Sequence, residues 1–313
     1  MKILLSGASS FTGSWFGKTL SARGHSVTGV FRRESLDDYR GIRGARVTEF
    51  LKSAEGQFGC SFGSERFLDL IRSEKWDVYC HHASDVENYR SPDFDPLGAT
   101  QRNTHNLSLV LEALERAGCR RVVCTGSVFE RLEGAGSEGL PHISRYGLSK
   151  ALSWEVFLFE CLERGFQLDK FVIPNPFGPY EEPRFTNYLV NQWRRSETAG
   201  VRTPNYVRDN IHVDLLALEY ADFVELSPTS PSGPRKHHPS GYIESQGRFA
   251  TRFAREFQKR TDWPCRVESA QQMEYSEPMI RINTQPSSLR HPEWCESTSW
   301  DKIVEYYLAA AAN

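Results

Sequence analysis

Lys2-Ile3-Leu4-Leu5-Ser6-Gly7-Ala8-Ser9-Ser10-Phe11-Thr12-Gly13 decides the fold. Ile3-Leu4-Leu5 is an unbroken apolar run, the pattern of a strand buried on both faces of a parallel sheet. It runs straight into a turn with glycines at 7 and 13. The amphipathic stretch after that turn opens a helix, which Arg23-Gly24 ends. Gly7 permits the tight turn out of the strand, and Gly13 lets the helix come close to the sheet. The helix N-terminus offers unpaired N–H groups and a partial positive charge, a setting that suits a pyrophosphate. Ser9, Ser10 and Phe11 complete this cradle. Ser10 holds the middle position, where a small residue is needed, and its hydroxyl can donate to a phosphate oxygen. Glycine spacing alone is a weak signal, so the surrounding pattern has to supply the context.

Outward from this turn, short apolar runs alternate with longer amphipathic ones. Strands are predicted over 26–31, 46–50, 77–81, 121–125 and 169–173. Helices are predicted over 67–73, 97–117 and 144–163, the second on Leu107, Val110, Leu111 and Leu114. Strands separated by helices imply βαβ units, hence an α/β fold with a doubly wound parallel sheet. After Pro174, prolines and aromatics become frequent and periodicity fades. Residues 249–259 and 300–311 read as helices. Residues 227–241, rich in Pro, Ser and Gly and carrying Arg235-Lys236-His237-His238, read as an exposed loop. The expected organisation is a dinucleotide-binding domain over 1–174 and a smaller C-terminal substrate-binding lobe over 175–313, with a return to the sheet domain around 205–226.

Composition narrows the function. The 313 residues carry a net charge of -2 with the signs well mixed, so no basic face advertises nucleic acid. Apolar runs fall short of the roughly 20 residues of a membrane-spanning helix. The first residues lack the pattern of a signal peptide, and the expectation is a cytoplasmic protein that uses no membrane. Seven cysteines without a Cys-x-x-Cys suggest neither a disulfide framework nor a metal site.

Two places then carry chemistry. The second strand ends Val30-Phe31-Arg32-Arg33, with no acidic residue before Glu34. A carboxylate there would hold the ribose 2′-hydroxyl of NAD, whereas a guanidinium grips a 2′-phosphate. Arg32 and Arg33 therefore point to NADP rather than NAD. Further along, Tyr146 and Lys150 stand at i, i+4 and share a helix face. An ammonium beside a phenol favours the phenolate and makes it a workable acid or base near neutral pH. The pair opens the helix after the fifth strand, where such sheets take ligands. Thr125 and Ser127, at the end of that strand, each offer a hydroxyl to hold a substrate oxygen. Asn103, on the preceding helix, could steady a water or helix backbone near Lys150.

Taken together, these segments resemble the extended short-chain dehydrogenase/reductase family, the group of nucleotide-sugar epimerases, dehydratases and 4-ketoreductases. The likeness runs from residue 2 to about residue 220. Residues Gly7 to Gly13 are similar to the family's Gly-x-x-Gly-x-x-Gly turn, with Ser10 as a departure. His81-His82-Ala83-Ser84 resembles its His-Leu-Ala-Ala, whose backbone lies beside the cofactor. Asn103 matches its helix asparagine. Thr125-Gly126-Ser127-Val128-Phe129 resembles its Ser/Thr-x-x-Val-Tyr, which puts Thr125 ahead of Ser127. Tyr146 and Lys150 match its catalytic pair, and that lysine also binds the nicotinamide ribose. Pro174-Asn175-Pro176-Phe177-Gly178-Pro179 resembles the segment that meets the nicotinamide amide, next to Ile173, while its asparagine reaches the substrate's diphosphate. Val207-Arg208-Asp209-Asn210-Ile211-His212-Val213 is similar to Arg-Asp-x-Ile-His-Val, whose arginine serves the substrate's nucleotide.

The resemblance implies a Rossmann-type fold, a nicotinamide cofactor, a nucleotide-sugar substrate and a homodimer formed through the helices of 97–117 and 144–163. It implies Thr125, Tyr146 and Lys150 as catalytic residues. It implies Gly7, Ser9, Ser10, Phe11, Gly13, His82, Ala83, Asn103 and Ile173 around the cofactor, beside the Arg32 and Arg33 read above, and Ser127, Asn175 and Arg208 around the substrate. Where family dehydratases carry Asp-Glu after the threonine, this chain has Gly126-Ser127, so the usual elimination route is not expected. The expected activity is hydride transfer at a hydroxyl or ketone carbon, by a reductase or an epimerase. The competing expectation is a catalytically idle NADP-binding sensor or scaffold on the same fold.

Overall fold

The computed structural model describes residues 1–226 and 233–312. In chain order it begins β1 (Lys2–Ser6), α1 (Phe11–Ala22), β2 (Ser26–Val30), α2 (Gly41–Leu51), β3 (Glu55–Gln57), α3 (Glu65–Ser73) and β4 (Val78–His81). Next come α4 (Pro96–Asn103), α5 (Leu107–Arg116), β5 (Arg121–Ser127), β6 (Ala135–Gly136), α6 (Arg145–Glu163) and β7 (Gln167–Ile173). They are followed by β8 (Asn175–Phe177), α7 (Phe185–Arg194), β9 (Ala199–Val201), β10 (Val207–His212) and α8 (Val213–Glu225). The last elements are β11 (Arg235–His237), β12 (Tyr242–Ser245), α9 (Gln246–Gln258), β13 (Val267–Ser269), β14 (Ile280–Ile282) and α10 (Glu296–Ala312). Among the described residues, no helix is long and apolar enough to cross a membrane.

The chain divides into two compact units. The first comprises Met1–Glu133, Pro141–Ile173 and Glu219–His237. Its sheet has seven strands in the order β11-β7-β5-β4-β1-β2-β3, and every pairing is parallel. The order reverses at β1, which makes the sheet doubly wound. The carboxyl ends of β1 and β4 flank the switch point, where open parallel sheets take ligands. Leu4, Tyr79, Val122 and Leu168 from the strands bury themselves with Val110, Leu114 and Phe157 from the helices. Phe16 of α1, Phe171 of β7 and Tyr220 of α8 form a second aromatic group, with Phe16 stacked on Tyr220 at 4.0 Å.

The second unit comprises Gly134–Leu140, Pro174–Leu218 and His238–Asn313. A mixed sheet runs β12-β10-β14-β6, β8 pairs with β10, and β9 pairs with β13. Phe177, Trp193, Phe253, Phe257 and Trp300 form its core.

Three local expectations are corrected. Residues 46–50 are not a strand but the second half of α2: Val47 and Phe50 are buried at helical spacing, and the buried Arg46 stacks over the Phe11 ring. The third strand is β3 instead, whose Glu-Gly-Gln sequence has no apolar residue to announce it. The helix expected over 97–117 breaks into α4 and α5. Asn106 takes a left-handed conformation (φ 52°) and donates from its amide to the Gly63 carbonyl at 2.8 Å. Finally, Arg235-Lys236-His237 is no loop but the edge strand β11. Its charges are tolerated because Arg235 pairs with Asp169 (3.0 Å), Lys236 with Glu133 (2.9 Å) and His237 with Glu219 (2.9 Å). Residues 227–232 of the same expected loop lie outside the described residues.

Candidate active site

The turn after β1 is built around steric necessity. Gly7 sits at φ 79°, and a Cβ there would stand 2.8 Å from the His82 carbonyl carbon and the Ala83 nitrogen. A Cβ on Gly13 would stand 2.7 Å from Ser10 Oγ and 2.8 Å from His82 Cδ2. The exit of β4 therefore presses on both glycines, and no L side chain fits at Gly7 without strain. Ser10 caps α1: its N–H donates to Gly7 O (3.0 Å) and its Oγ accepts from Gly13 N (3.1 Å). The hydroxyl hydrogen is left over to donate outward, and the N–H groups of Phe11 and Thr12 have no carbonyl one turn back. These residues fit a pyrophosphate. Ser9 is half-buried and Phe11 buried at the helix start. Arg32 and Arg33 are exposed at the end of β2, and the first carboxylate, Glu34, is occupied by Arg66 at 2.7 Å.

At the end of β5 the side chains interlock. Thr125 is 4% exposed; its hydroxyl lies 2.7 Å from His82 Nδ1, and His82 Nε2 lies 2.9 Å from the Thr12 hydroxyl. Lys150 Nζ donates to the Thr125 carbonyl at 2.6 Å. Burial lowers the Lys150 pKa, and the nearby Glu130 carboxylate works against that. Burial, helped by the Lys150 charge, takes His82 down to about 3, so its ring is neutral. Tyr146 lies one turn before Lys150 on α6 and is half-buried, its ring 5.3 Å from that of Tyr89. The start of α6 is fixed by the Ser144 cap on Gly147 N (3.1 Å). It is fixed also by Gly147 itself, where a Cβ would stand 2.9 Å from the Phe129 carbonyl carbon.

Other expected residues have definite posts. Ser127 Oγ accepts from Phe129 N (3.2 Å) and its N–H donates to Glu130 (2.7 Å), contacts of a local turn. Ile173 pairs with Ser127 across β5 and β7 and accepts from Val128 N at 3.1 Å. Asn103 accepts from Asp85 N (2.7 Å) and donates to Ser153 Oγ (3.1 Å), tying the segment after β4 to α6 one turn beyond Lys150. Ala83 N donates to Ser6 Oγ at 3.3 Å.

Sequence reasoning missed two features. One is the His82 side chain, expected to contribute only backbone. The other is a buried ion network: Lys170 donates to Glu130 (2.6 Å) and Glu133 (2.7 Å) and lies over the Trp154 ring. Of these carboxylates, Glu130 accepts from Ser127 N (2.7 Å), at one of the two positions where elimination chemistry would need an acid and a base. Both are committed to Lys170, so they do not replace the absent Asp-Glu pair.

In the second unit, Asn175 and Asn210 are register partners across β8 and β10. The amide nitrogens of both are buried without a hydrogen-bond partner among the described residues. Arg208 is buried over the Tyr206 ring and donates to the Pro278 carbonyl (3.0 Å) and the Glu277 carboxylate (2.8 Å).

Comparison with known proteins places this architecture. Residues 3–218 match the model of the NAD dependent epimerase/dehydratase family. The chain is 31% identical over 232 residues to a UDP-glucose 4-epimerase of Mycolicibacterium smegmatis, covering 68% of this chain and 70% of that protein. Its fold matches that of UDP-glucose 4-epimerase from Thermotoga maritima, solved with UDP-glucose (TM-score 0.73, 16% identity, 99% of this chain and 100% of that one). It also matches UDP-glucuronic acid 4-epimerase from Bacillus cereus, solved with UDP-glucuronic acid and NAD (TM-score 0.74, 15% identity, 99% and 100%). The dTDP-glucose 4,6-dehydratase DesIV from Streptomyces venezuelae, solved with NAD, shares it as well (TM-score 0.73, 18% identity, 100% and 98%). Epimerases and a dehydratase alike share the fold, so the fold does not choose among their reactions.

Proposed function

The chain belongs to the NAD dependent epimerase/dehydratase family, and on that premise we propose that it transfers hydride at a hydroxyl or ketone carbon of a nucleotide sugar, as an epimerase or 4-ketoreductase. The observation that carries the reading is the join between Thr125 and Lys150 at the carboxyl end of β5, with Tyr146 one turn away on the same helix. A bound nicotinamide supplies or removes the hydride. Tyr146 gives a proton to the substrate oxygen in the reductive direction and takes it back in the oxidative one. Thr125 holds that oxygen, and Lys150 keeps a positive charge beside the phenol. Gly126-Ser127 and the commitment of Glu130 and Glu133 to Lys170 argue for hydride transfer without loss of water.

The exposed Arg32 and Arg33 favour NADP, although related structures carry NAD. The orphaned Asn175 amide favours contact with an acceptor such as a diphosphate oxygen. The helix α6 favours a dimer: Trp154, Phe157 and Cys161 are buried, while Phe159 and Leu162 on its other side are 64% and 56% exposed.

A thermal-shift screen tests the reading. NADP should raise Tm more than NAD, and UDP-glucose should raise it further. A protein that no dinucleotide stabilises would overturn the proposal. Oxidised cofactor retained through purification would select the epimerase, and a freely exchanging site the reductase.

A further inference from the structure

His82 stands between two hydroxyls that are otherwise remote from each other in the chain. Its Nδ1 lies 2.7 Å from Thr125 Oγ1 and its Nε2 lies 2.9 Å from Thr12 Oγ1. The ring is clamped: Phe16 meets it edge-on at 5.2 Å between centroids, and Gly13 leaves no space for a Cβ beside its Cδ2. Flipping the ring would turn two carbons toward the two hydroxyls and forfeit both hydrogen bonds, so this orientation is the one the surroundings enforce.

A neutral imidazole has one N–H and one lone pair. Each flanking threonine must therefore play the role opposite to the nitrogen it faces. Thr12 is the second residue of α1, so Nε2 points at the positive end of that helix. A lone pair is favoured there over an N–H. Thr12 then donates to Nε2, and the ring's hydrogen resides on Nδ1. Thr125 Oγ1 must accept from Nδ1–H. With that lone pair taken, its own hydrogen is directed away from His82.

We propose that His82 is a positioning residue: held at one nitrogen by Thr12, it donates from the other to Thr125 and so presets the Thr125 hydroxyl as a donor to the substrate oxygen. No proton changes hands at His82. This deepens the proposed function and rests on its assignment of Thr125. A site preset in this way favours a carbonyl or alkoxide oxygen over a hydroxyl that needs an acceptor. The leucine of the related His-Leu-Ala-Ala pattern could fill the space but could not orient the threonine.

Two measurements test it. Nuclear magnetic resonance of protein labelled with heavy nitrogen at histidine, compared with His82→Asn to assign the signal, should find the Nδ1–H tautomer at neutral pH. An Nε2–H tautomer or an imidazolium would overturn the proposal. The second measurement is hydride transfer from UDP-glucose to NADP on the whole protein. His82→Leu should lower kcat about tenfold with KM unchanged, the worth of one neutral hydrogen bond. His82→Asn should recover most of that, because an amide N–H at its position reaches Thr125. An unchanged kcat in His82→Leu, an asparagine variant no better than leucine, or loss of NADP binding in both would each overturn it. A wild type that transfers no hydride from UDP-glucose counts against the proposed function instead, while the tautomer still decides the role of His82.

Discussion

Thr125 and Asn175 make an instructive pair. Thr125, at the end of β5 in the first unit, has its hydroxyl on His82 and its carbonyl on Lys150. Asn175, at the start of β8 in the second unit, has a buried amide nitrogen with no partner among the described residues, and its register partner Asn210 has the same deficit. Thr125 is held at both its hydroxyl and its carbonyl by the protein's own side chains, whereas the Asn175 amide nitrogen, proposed to meet the nucleotide, is held by none among the described residues. Leaving a buried donor unpaired costs about 1–3 kcal/mol, so the two residues should respond to truncation in opposite ways.

The largest effect should come from Lys170, which supports the Thr125 side of this contrast. Lys170→Met takes the buried ammonium from Glu130 and Glu133, leaving Glu130 with the Ser127 N–H and Glu133 with the half-exposed Lys236. Denaturant unfolding should report a loss of about 3–5 kcal/mol. A loss below 1 kcal/mol would mean that the network is not holding the end of β5. Next, Thr125→Val should cost about 1–2 kcal/mol by taking the partner from His82 Nδ1, and it should lower turnover by about a hundredfold. Asn175→Ala should leave the stability of the ligand-free protein unchanged or slightly raised, and should weaken UDP-glucose binding about tenfold by calorimetry. If Asn175→Ala destabilised the protein as much as Thr125→Val, the contrast would dissolve.

The smallest effect is one of pH, and it belongs to the second unit. Glu181 is 4% exposed and accepts from Tyr307 Oη (2.9 Å) and from the Thr186 hydroxyl. Burial pushes its carboxyl from 4.5 up to about 8, against the pull of the Tyr307 bond. Between those values the folded chain keeps a proton that the unfolded chain has released. Stability from this group is therefore full below about 4.5 and is lost as pH rises through about 8. Glu181→Gln should flatten that slope, so Tm measured across the window should fall less in the variant than in the wild type.

What the sequence disclosed follows from how local each signal is. The glycine turn, the Tyr146–Lys150 spacing and Thr125 are written in short stretches whose backbone geometry follows from the residues themselves. The contacts of His82 were hidden because its partners lie 70 and 43 residues away in the chain, at Thr12 and Thr125. The Lys170–Glu130 pair, 40 residues apart, was hidden for the same reason. The edge strands β3 and β11 escaped because edges need no apolar run: one reads Glu-Gly-Gln, the other Arg-Lys-His. The break at Asn106 escaped because the apolar period of Leu107, Val110, Leu111 and Leu114 begins only after it, and the polar run from Thr100 to Asn106 carries no glycine or proline to stop a helix.

The account turns on Tyr146 as the proton donor and acceptor, and one comparison reaches it directly. Protein loaded with NADP is mixed with UDP-glucose, and the near-ultraviolet absorbance of reduced nicotinamide is followed in the wild type and in Tyr146→Phe. The wild type should form reduced cofactor. The variant should bind NADP equally well and form it about a thousandfold more slowly. A phenylalanine variant as fast as the wild type would contradict the assignment.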